Sequence, residues 1–598
     1  MKPLRTRWAD DVDPDLPLPE YPRPQLRRER WTNLNGRWDL AIQPREASAP
    51  ASFDQEILVP FPVGSALSGV QQTVGPEERI WLHRSFATPA LGERERLRLH
   101  FGAVDWEAEV WCNDQRVGLH QGGFDPFFFD ITDALVAADE QGLVVAIWDP
   151  TDAGTQPLGK QIREPFGIQY TAVSGIWQTV WLEPVPDRCI ERIVAETKLD
   201  LDAVTVRVRT SCTEAEYQVE IAVRAAGVTL ARTTAAVVDG EAVAELQLPG
   251  LHPWSPEDPF LHDLEIHLLR GDARLDHVES YFGAREVAVD RDADGYWRLF
   301  LNGEPIFHLG PLDQGWWPDG LYTAPTDEAL AFDIEATKRM GFNTIRKHVK
   351  VEPARWYWHA DRLGVLVWQD MPNLPFDLRW FLRELGKGQR PEQVPFDFTR
   401  PDEVAKTYRR ELDAMLDSLA PFACIVVWVP FNEAWGQHDT DAILAHVARR
   451  DPTRLVDGPS GWTDTGTGAI RDHHVYNAEK DLPPLEPDRP LVYGEFGGLK
   501  LHVEEHVVVE EGWGYAEAET PEALAEAYEE LMEVIGGLVE RGLAGAIYTQ
   551  TTDVEGELNG LLTYDRAVFK ISPQRLAAAH RGILGRLLNR SNPRRPSS

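Results

Sequence analysis

From residue 31 to about residue 184 the chain alternates apolar and polar positions over short stretches, each closed by turn-forming residues. Segments 80–86 (IWLHRSF), 96–101 (RLRLHF), 107–110 and 142–148 are the clearest. A period of two, with no sustained helical period, predicts a β-sandwich of jelly-roll type. Residues 185–286 keep the alternation with a different texture, at 203–210 (AVTVRVRT), 217–224, 242–248 and 264–269. About a hundred residues of this kind predict a smaller, immunoglobulin-like sandwich. After Gly283-Ala284-Arg285 the period changes, and short β-branched runs now alternate with amphipathic helical stretches. Strands are expected at 305–310, 343–348, 365–369, 425–429, 454–458, 473–476, 491–494 and 544–550, with helices at 326–340, 353–363, 402–419, 439–448, 521–540 and 573–588. Eight strands separated by crossovers, with the helix unclear only around the sixth, predict a carboxy-terminal (β/α)8 TIM barrel. The expected division is an arm and first sandwich over 1–184, the second sandwich over 185–287, the barrel over 288–590, and a disordered tail at 591–598.

A parallel barrel opens the carboxyl ends of all its strands on one face, so polar residues at strand ends are the candidates for chemistry. The stretch 425–436, IVVWVPFNEAWG, is a buried-strand pattern that runs into Asn432 and Glu433. The stretch 490–498, PLVYGEFGG, ends in the same way on Glu495. A carboxylate at the end of a buried strand is costly unless it is paired or reactive. Two converging carboxylates are the minimum apparatus for glycoside hydrolysis, one attacking the anomeric carbon and the other giving its proton to the leaving oxygen. The remaining strand ends supply His308, Asp313 and Trp316, then Arg346 and His348, then Asp370, His474, Tyr476 with Asn477, and Gln550 with Asn559. Each has a plainer reading. His308 and His348 also suit a core, Arg346 a structural ion pair and Asp370 a loop cap. The acidic run Asp553, Glu555 and Glu557 suits a solvated turn or a hard-cation site.

Composition narrows the function. The 598 residues are too many for one core, and a net charge of −36 argues against nucleic acid and anionic membranes as partners. A charge of that sign fits a neutral substrate. The four cysteines are scattered, so no zinc site is expected. The first residues carry no apolar signal segment and no run of eighteen apolar residues occurs, which sets a cytoplasmic location as the default.

Several segments together resemble glycoside hydrolase family 2, the family of β-galactosidases, β-glucuronidases and β-mannosidases. They are WTNLNG at 31–36, WLHRSF at 81–86, FGAVDW at 101–106 and SGIWQTVWL at 174–182. To these the barrel adds GFNTIR at 341–346, WVPFNE at 428–433 and YGE at 493–495. The resemblance covers about residues 31–587. It implies Glu433 as acid/base, Glu495 as nucleophile, Asn432 as a contact of the sugar 2-hydroxyl, and Arg346 and Tyr476 as residues beside the nucleophile. His308, Asp313, Trp316, His348, Asp370, His474, Gln550 and Asn559 are then expected to line the sugar pocket.

The expected function is a retaining exo-β-glycosidase acting on terminal neutral sugars, with a β-galactoside as default substrate. The same mechanism on an arabinoside, furanoside, mannoside or glucoside is an alternative, and a non-catalytic carbohydrate-binding protein is another. A glucuronide is disfavoured, because the Asn-x-Lys pair of β-glucuronidases is absent and Asn559-Gly560-Leu561 stands in that region. No cofactor is expected to be required, and ligands for a divalent or sodium cation are not traceable. A glycoside is the expected partner, and the sequence leaves homo-oligomerisation open.

Overall fold

The computed structural model describes residues 4–376 except Ala215, then Arg379, Arg383, 400–476 and 480–591, with side chains to 586. Most of residues 377–399, Asn477 and nearly all of the expected tail lie outside the described residues.

Residues 32–186 form a six-stranded sheet and a four-stranded sheet. The larger is ordered Gln55–Val59, Gly36–Pro44, Glu78–Ala87, Glu140–Trp148, Glu107–Cys112, Gln115–Gln121. The inward positions of both sheets, among them Trp38, Leu40, Leu82, Val110, Leu99 and Leu182, share one apolar core. A second core, including Val206, Val219, Ile221, Leu264 and Ile266, joins the three- and four-stranded sheets of residues 190–282. The alternating pattern read from the sequence is this inside–outside alternation of sheet faces.

The carboxy-terminal part is a single parallel sheet of eight strands. They are β1 (His308–Asp313), β2 (Thr344–Lys347), β3 (Leu366–Asp370), β4 (Ile425–Val429), β5 (Leu455–Val456), β6 (Arg471–Val475), β7 (Leu491–Phe496) and β8 (Leu543–Tyr548). Strand β1 pairs with both β2 and β8. The free edges of β5 and β6 meet through Ala469 N–Val456 O (2.7 Å) and Gly458 N–Ile470 O (3.3 Å), so the sheet curls into a closed barrel. Around it lie α1 (Asp327–Arg339), α2 (Ala354–Leu363), α3 (Asp402–Leu419), α4 (Thr440–Arg450), α5 (Pro521–Val539) and α6 (Pro573–Ser591). The caps follow from local sequence. The Thr326 and Thr520 hydroxyls accept from the backbone of Ala329 and Ala523, and Gly364 closes α2 at φ +75°. Among the described residues, no helix is long and apolar enough to cross a membrane.

The first strand is offset from its expectation. It starts three residues later and runs to Asp313, which moves His308 from the end of a strand to its beginning.

Side chains bolt the three parts together. Arg285, where the pattern changes, donates to the carbonyls of Ala423 (3.0 Å) and Ile425 (2.9 Å) at the entry of β4 and of Thr453 (2.8 Å) before β5. Trp254 is fully buried and donates to the Asp361 carbonyl of α2 at 2.7 Å. In the arm, Thr6 donates through both N and Oγ1 to Asp319, and Trp8 packs edge-on to Trp317 and Phe332.

Candidate active site

Glu433 lies four residues past β4, in a turn that only a special backbone allows. It has φ +49° and Ala434 has φ +63°, both left-handed. A side chain there costs about 1–2 kcal/mol, which the surroundings must offset. They do so by hydrogen bonds from Glu433 N to Ser460 O (2.8 Å), Ser460 N to Phe431 O (2.9 Å) and Trp435 N to Asn432 O (2.8 Å).

Glu495 stands near the end of β7, after a glycine that the packing demands. Gly494 N donates to Asp472 Oδ1 at 2.6 Å, and a Cβ on Gly494 would lie 1.9 Å from Asp472 Oδ2. Asp472 of β6 thus holds the backbone under Glu495, and no larger residue fits.

The two carboxylates converge. One ligand-type atom from each of Glu433, His474 and Glu495 lies within 4.8 Å of the others. Tyr476 donates to Glu495 Oε2 at 2.5 Å and sits 3.3 Å from Glu433 Oε1. His474 Nδ1 is 2.8 Å from Glu433 Oε1 and 3.7 Å from Glu495 Oε1. Its Nε2 faces Ser460 Oγ at 2.9 Å, and that hydroxyl donates to Asp472 Oδ2 at 2.5 Å. Gly461, at φ +84°, leaves the room the imidazole occupies, since a Cβ there would lie 2.8 Å from Nδ1.

The electrostatics divide the groups. Burial pushes the pKa of Glu495 up, but His474 and Arg346 among its neighbours more than offset this, and it falls below the usual carboxylate value. Burial opposes charge on His474, yet Glu495 and the hydrogen bond to Glu433 prevail and raise its pKa. Glu495 Oε1 is buried and has no hydrogen-bond partner, with the Arg346 guanidinium 3.5 Å away.

Arg346, wholly buried on β2, ties the ring of strand ends together. It forks onto Asp370 (2.9–3.2 Å) and donates to Gly494 O (3.0 Å) and Asn432 Oδ1 (2.9 Å). That fixes the Asn432 amide with its carbonyl inward. His348 Nδ1 meets Asp370 Oδ2 at 2.7 Å, and burial first, then the charge of Lys160, drive its pKa well down.

Other expected pocket residues are committed elsewhere. His308 lies at the start of β1, accepts from Trp368 Nε1 at 2.9 Å, and is pushed by burial to a pKa of about 3. It is a core histidine. Asp313 accepts from Lys347 Nζ and from Gly315 N, both at 2.8 Å. Trp316 is buried between Tyr170 and Tyr322. Asp370 spends its carboxylate on Arg346 and His348. Gln550 donates to Asn559 Oδ1 (2.7 Å), and Asn559 to Glu557 Oε1 (2.9 Å), while Tyr170 of the first sandwich donates to Glu557 Oε2. Gln550 and Asn559 thus belong to a latch between parts. The acidic run beside them is no solvated turn, since Asp553 is paired with Lys570 at 2.6 Å and Glu555 accepts from Thr171 N at 3.0 Å.

Residues outside the expected site set also meet here. Ser460, Asp472 and Trp435 are barrel residues outside the expected set, and Lys160 comes from the first sandwich. Tyr515 stacks on Tyr476 at 3.6 Å between centroids, and Trp513 meets Tyr515 edge-on. Among the described residues, two groups have metal-ligand types in reach of one another. They are Glu433, His474 and Glu495, and, on the second sandwich, Glu265, His267 and His277.

Comparison with known proteins bears on the parts ahead of the barrel and on the fold. Residues 58–186 match the sugar-binding domain of glycosyl hydrolases family 2, and residues 189–285 match the model named for the family itself. The chain belongs to glycoside hydrolase family 2. Its relatives in the family are distant. A β-galactosidase of Thermoanaerobacter pseudethanolicus is 22% identical over 416 residues, covering 66% of this chain and 50% of the relative. A β-glucuronidase of Paenibacillus borealis is 24% identical over 467 residues, covering 73% and 74%. A β-galactosidase of Psychromonas ingrahamii is 24% identical, with 68% of this chain and 38% of the relative covered. The aligned part thus spans half or less of those two β-galactosidases and about three quarters of the β-glucuronidase. Among solved structures, Bifidobacterium dentium β-glucuronidase superposes with a TM-score of 0.72 at 20% identity over 94% of this chain and 98% of that one. Ruminococcus gnavus β-glucuronidase gives 0.72 at 18% over 94% and 99%. At such identity the likeness speaks for the fold.

Proposed function

We propose that the protein is a retaining β-glycosidase that removes a terminal sugar by double displacement, with Glu495 as nucleophile and Glu433 as acid/base. The observation that carries this reading is the shared clasp of Tyr476 and His474 on two carboxylates with ligand atoms within 4.8 Å. Retaining pairs stand about 5–5.5 Å apart, and inverting pairs leave about 6.5–9.5 Å for a water between them.

The division of labour follows from the hydrogen bonds. Tyr476 holds Glu495 by Oε2, which leaves Oε1, the oxygen without a partner, to attack the anomeric carbon. As the carbon–oxygen bond to the aglycone breaks, Glu433 gives its proton to the leaving oxygen. Glu433 then takes a proton from water, and the hydroxide oxygen displaces Glu495 from the sugar. Asn432, with its carbonyl held by Arg346, turns its amide N–H toward the 2-hydroxyl. His474 keeps a donor on Glu433 Oε1 through both steps and is a positioning residue rather than a sugar contact. Because Glu433 and Glu495 are clasped by Tyr476 and His474, we read the chemistry as needing no metal.

We also read residues 32–186 as a jelly-roll sandwich and 190–282 as an immunoglobulin-like one, with boundaries near 184 and 287. Relatives of this chain include β-galactosidases and β-glucuronidases, which differ in the sugar they are named for. The neutral-sugar expectation drew on the net charge and the missing Asn-x-Lys pair; of the expected pocket residues, His308, Asp313 and Trp316 are engaged in packing and ion pairs.

Substitution of the two glutamates tests the reading with a nitrophenyl and a methyl glycoside. Glu495→Gln should abolish turnover of both. Glu433→Ala should cost far more on the methyl glycoside, whose leaving group needs a proton, and added azide should restore turnover of the nitrophenyl glycoside. Full activity of Glu495→Gln, or equal losses on both substrates for Glu433→Ala, would overturn the assignment.

A further inference from the structure

Lys160 belongs to the first sandwich, in the excursion between strands Glu140–Trp148 and Val180–Pro186. Its neighbours bolt it to the barrel mouth. Leu158 N and Gly159 N donate to Asn373 O at 2.9 and 3.3 Å, three residues past β3. Gly159, at φ +67°, lies so close to the residue after His348 that a Cβ would sit 2.5 Å from Val349 O. Beyond Lys160, Gln161 is pinned back to the sandwich through Asp105 Oδ2 at 2.8 Å. The lysine is therefore held from both sides and is 6% exposed. Its amine lies 5.6 Å from the ring centre of Tyr170 and 5.9 Å from that of Trp435, two residues past Glu433. Its backbone carbonyl accepts from Tyr170 N at 2.9 Å, but among the described residues its amine has no hydrogen bond and no ion pair. Two ring faces at the limit of useful distance hold the ammonium only weakly and leave it available to an anion. Its charge nevertheless reaches Glu495 and His348, among the groups that shift both.

We propose that Lys160 is a specificity residue of the glycone subsite and reads an anionic substituent on the sugar, a carboxylate or a sulfate ester. This rests on the β-glycosidase reading above. We assign the glycone rather than the aglycone because the residues just before Lys160 are seated on Val349 O and Asn373 O, past the ends of β2 and β3, and the lysine's charge acts on both His348 and Glu495. It also explains how such a sugar is read without an Asn-x-Lys pair after β8. The cation comes from a different domain.

The test compares wild type, Lys160→Met and Lys160→Arg on nitrophenyl β-D-glucuronide, β-D-galactoside and 6-sulfo-β-D-galactoside. One acidic substrate should exceed the neutral galactoside by at least about a hundredfold in kcat/KM, and which one does so separates carboxylate from sulfate. Lys160→Met should lower kcat/KM on that substrate by roughly ten- to a hundredfold, mainly through KM, with a smaller loss on the galactoside, and Lys160→Arg should recover part of it. A wild-type preference for the galactoside over both acidic substrates would overturn the proposal, as would an equal fall in kcat on acidic and neutral substrates in Lys160→Met, which is the mark of mere support for Glu495. Should the variant fail to fold, competitive inhibition of wild type by D-glucuronate and galactose 6-sulfate against D-galactose decides. Tighter inhibition by an acid supports the proposal and tighter inhibition by D-galactose overturns it. Failure to hydrolyse any glycoside would instead sink the underlying glycosidase reading.

Discussion

His474 is the sharpest place to perturb the catalytic pair. It is buried, with one nitrogen on Glu433 and the other on the Ser460–Asp472 chain. A hydrogen bond to a charged group contributes about 1.5–3 kcal/mol, and each 1.4 kcal/mol is about tenfold in rate. His474→Ala should therefore lower kcat/KM by roughly ten- to a hundredfold. His474→Asn is more informative, because an asparagine amide nitrogen overlays imidazole Nδ1. It keeps a donor on Glu433 and discards the charge, so the loss should be less than about tenfold. The pH profile should change in a definite direction. The pKa of His474 is raised, so its cation persists above the ordinary histidine value of about 6.5 and is lost as pH climbs through the folded value. Stability and activity contributed by that cation are complete at lower pH and fade on the alkaline side. Glu495 has the opposite sign. Its depressed pKa keeps it ionised down to acid pH, and its contribution is lost as pH falls through the folded value. In His474→Asn the alkaline limb of kcat/KM should lose its histidine component, and the acid limb should move to higher pH, because the His474 charge is the largest influence holding the Glu495 pKa down. The assay is nitrophenyl glycoside turnover from pH 4 to 10, with melting curves at each pH. An unchanged alkaline limb in His474→Asn, or a loss under twofold in His474→Ala, would refute the argument.

Two other substitutions follow from contacts. Gly494→Ala forces a methyl against the Asp472 carboxylate, which would otherwise lie 1.9 Å away, and should displace Glu495 and cut kcat about a hundredfold. Steady-state kinetics beside a thermal melt will separate that from unfolding. Arg285→Met strips a donor from the carbonyls of Ala423, Ile425 and Thr453, of which Ile425 O keeps Arg454 Nε at 2.9 Å; a buried carbonyl left unpaired costs about 1–3 kcal/mol, so the melting midpoint should fall by several degrees while KM holds.

Much of this was legible in the sequence because it depends on local pattern. Buried strands such as 425–429 are short β-branched runs, α3 was bounded exactly at Asp402–Leu419, and the strand ends carried both glutamates. The expectation slipped at β1. Gly310-Pro311 reads as a break, yet both residues lie inside that strand. Gly310 is there because a Cβ would come within 2.0 Å of Thr344 O of the neighbouring strand, a constraint visible only once the strands are paired. With the strand ended too early, His308 passed for a mouth residue and Asp313 for a free carboxylate. Lys160 and Ser460 gave no signal for another reason. Their roles arise from long-range approach, Lys160 across the domain boundary and Ser460 from the loop after β5 to the turn after β4, and neither leaves a periodic trace.

The central claim is the pairing of Glu433 with Glu495 as acid/base and nucleophile of a retaining glycosidase. A 2-deoxy-2-fluoro glycosyl fluoride forms the glycosyl–enzyme and then stalls, since the electron-withdrawing fluorine slows both steps and the good leaving group spares the first. Incubation followed by peptide mass spectrometry should find one sugar on the peptide holding Glu495, with activity lost in parallel and slowly regained on dilution. A sugar attached to Glu433, or full inhibition with no covalent adduct on any peptide, would contradict the account.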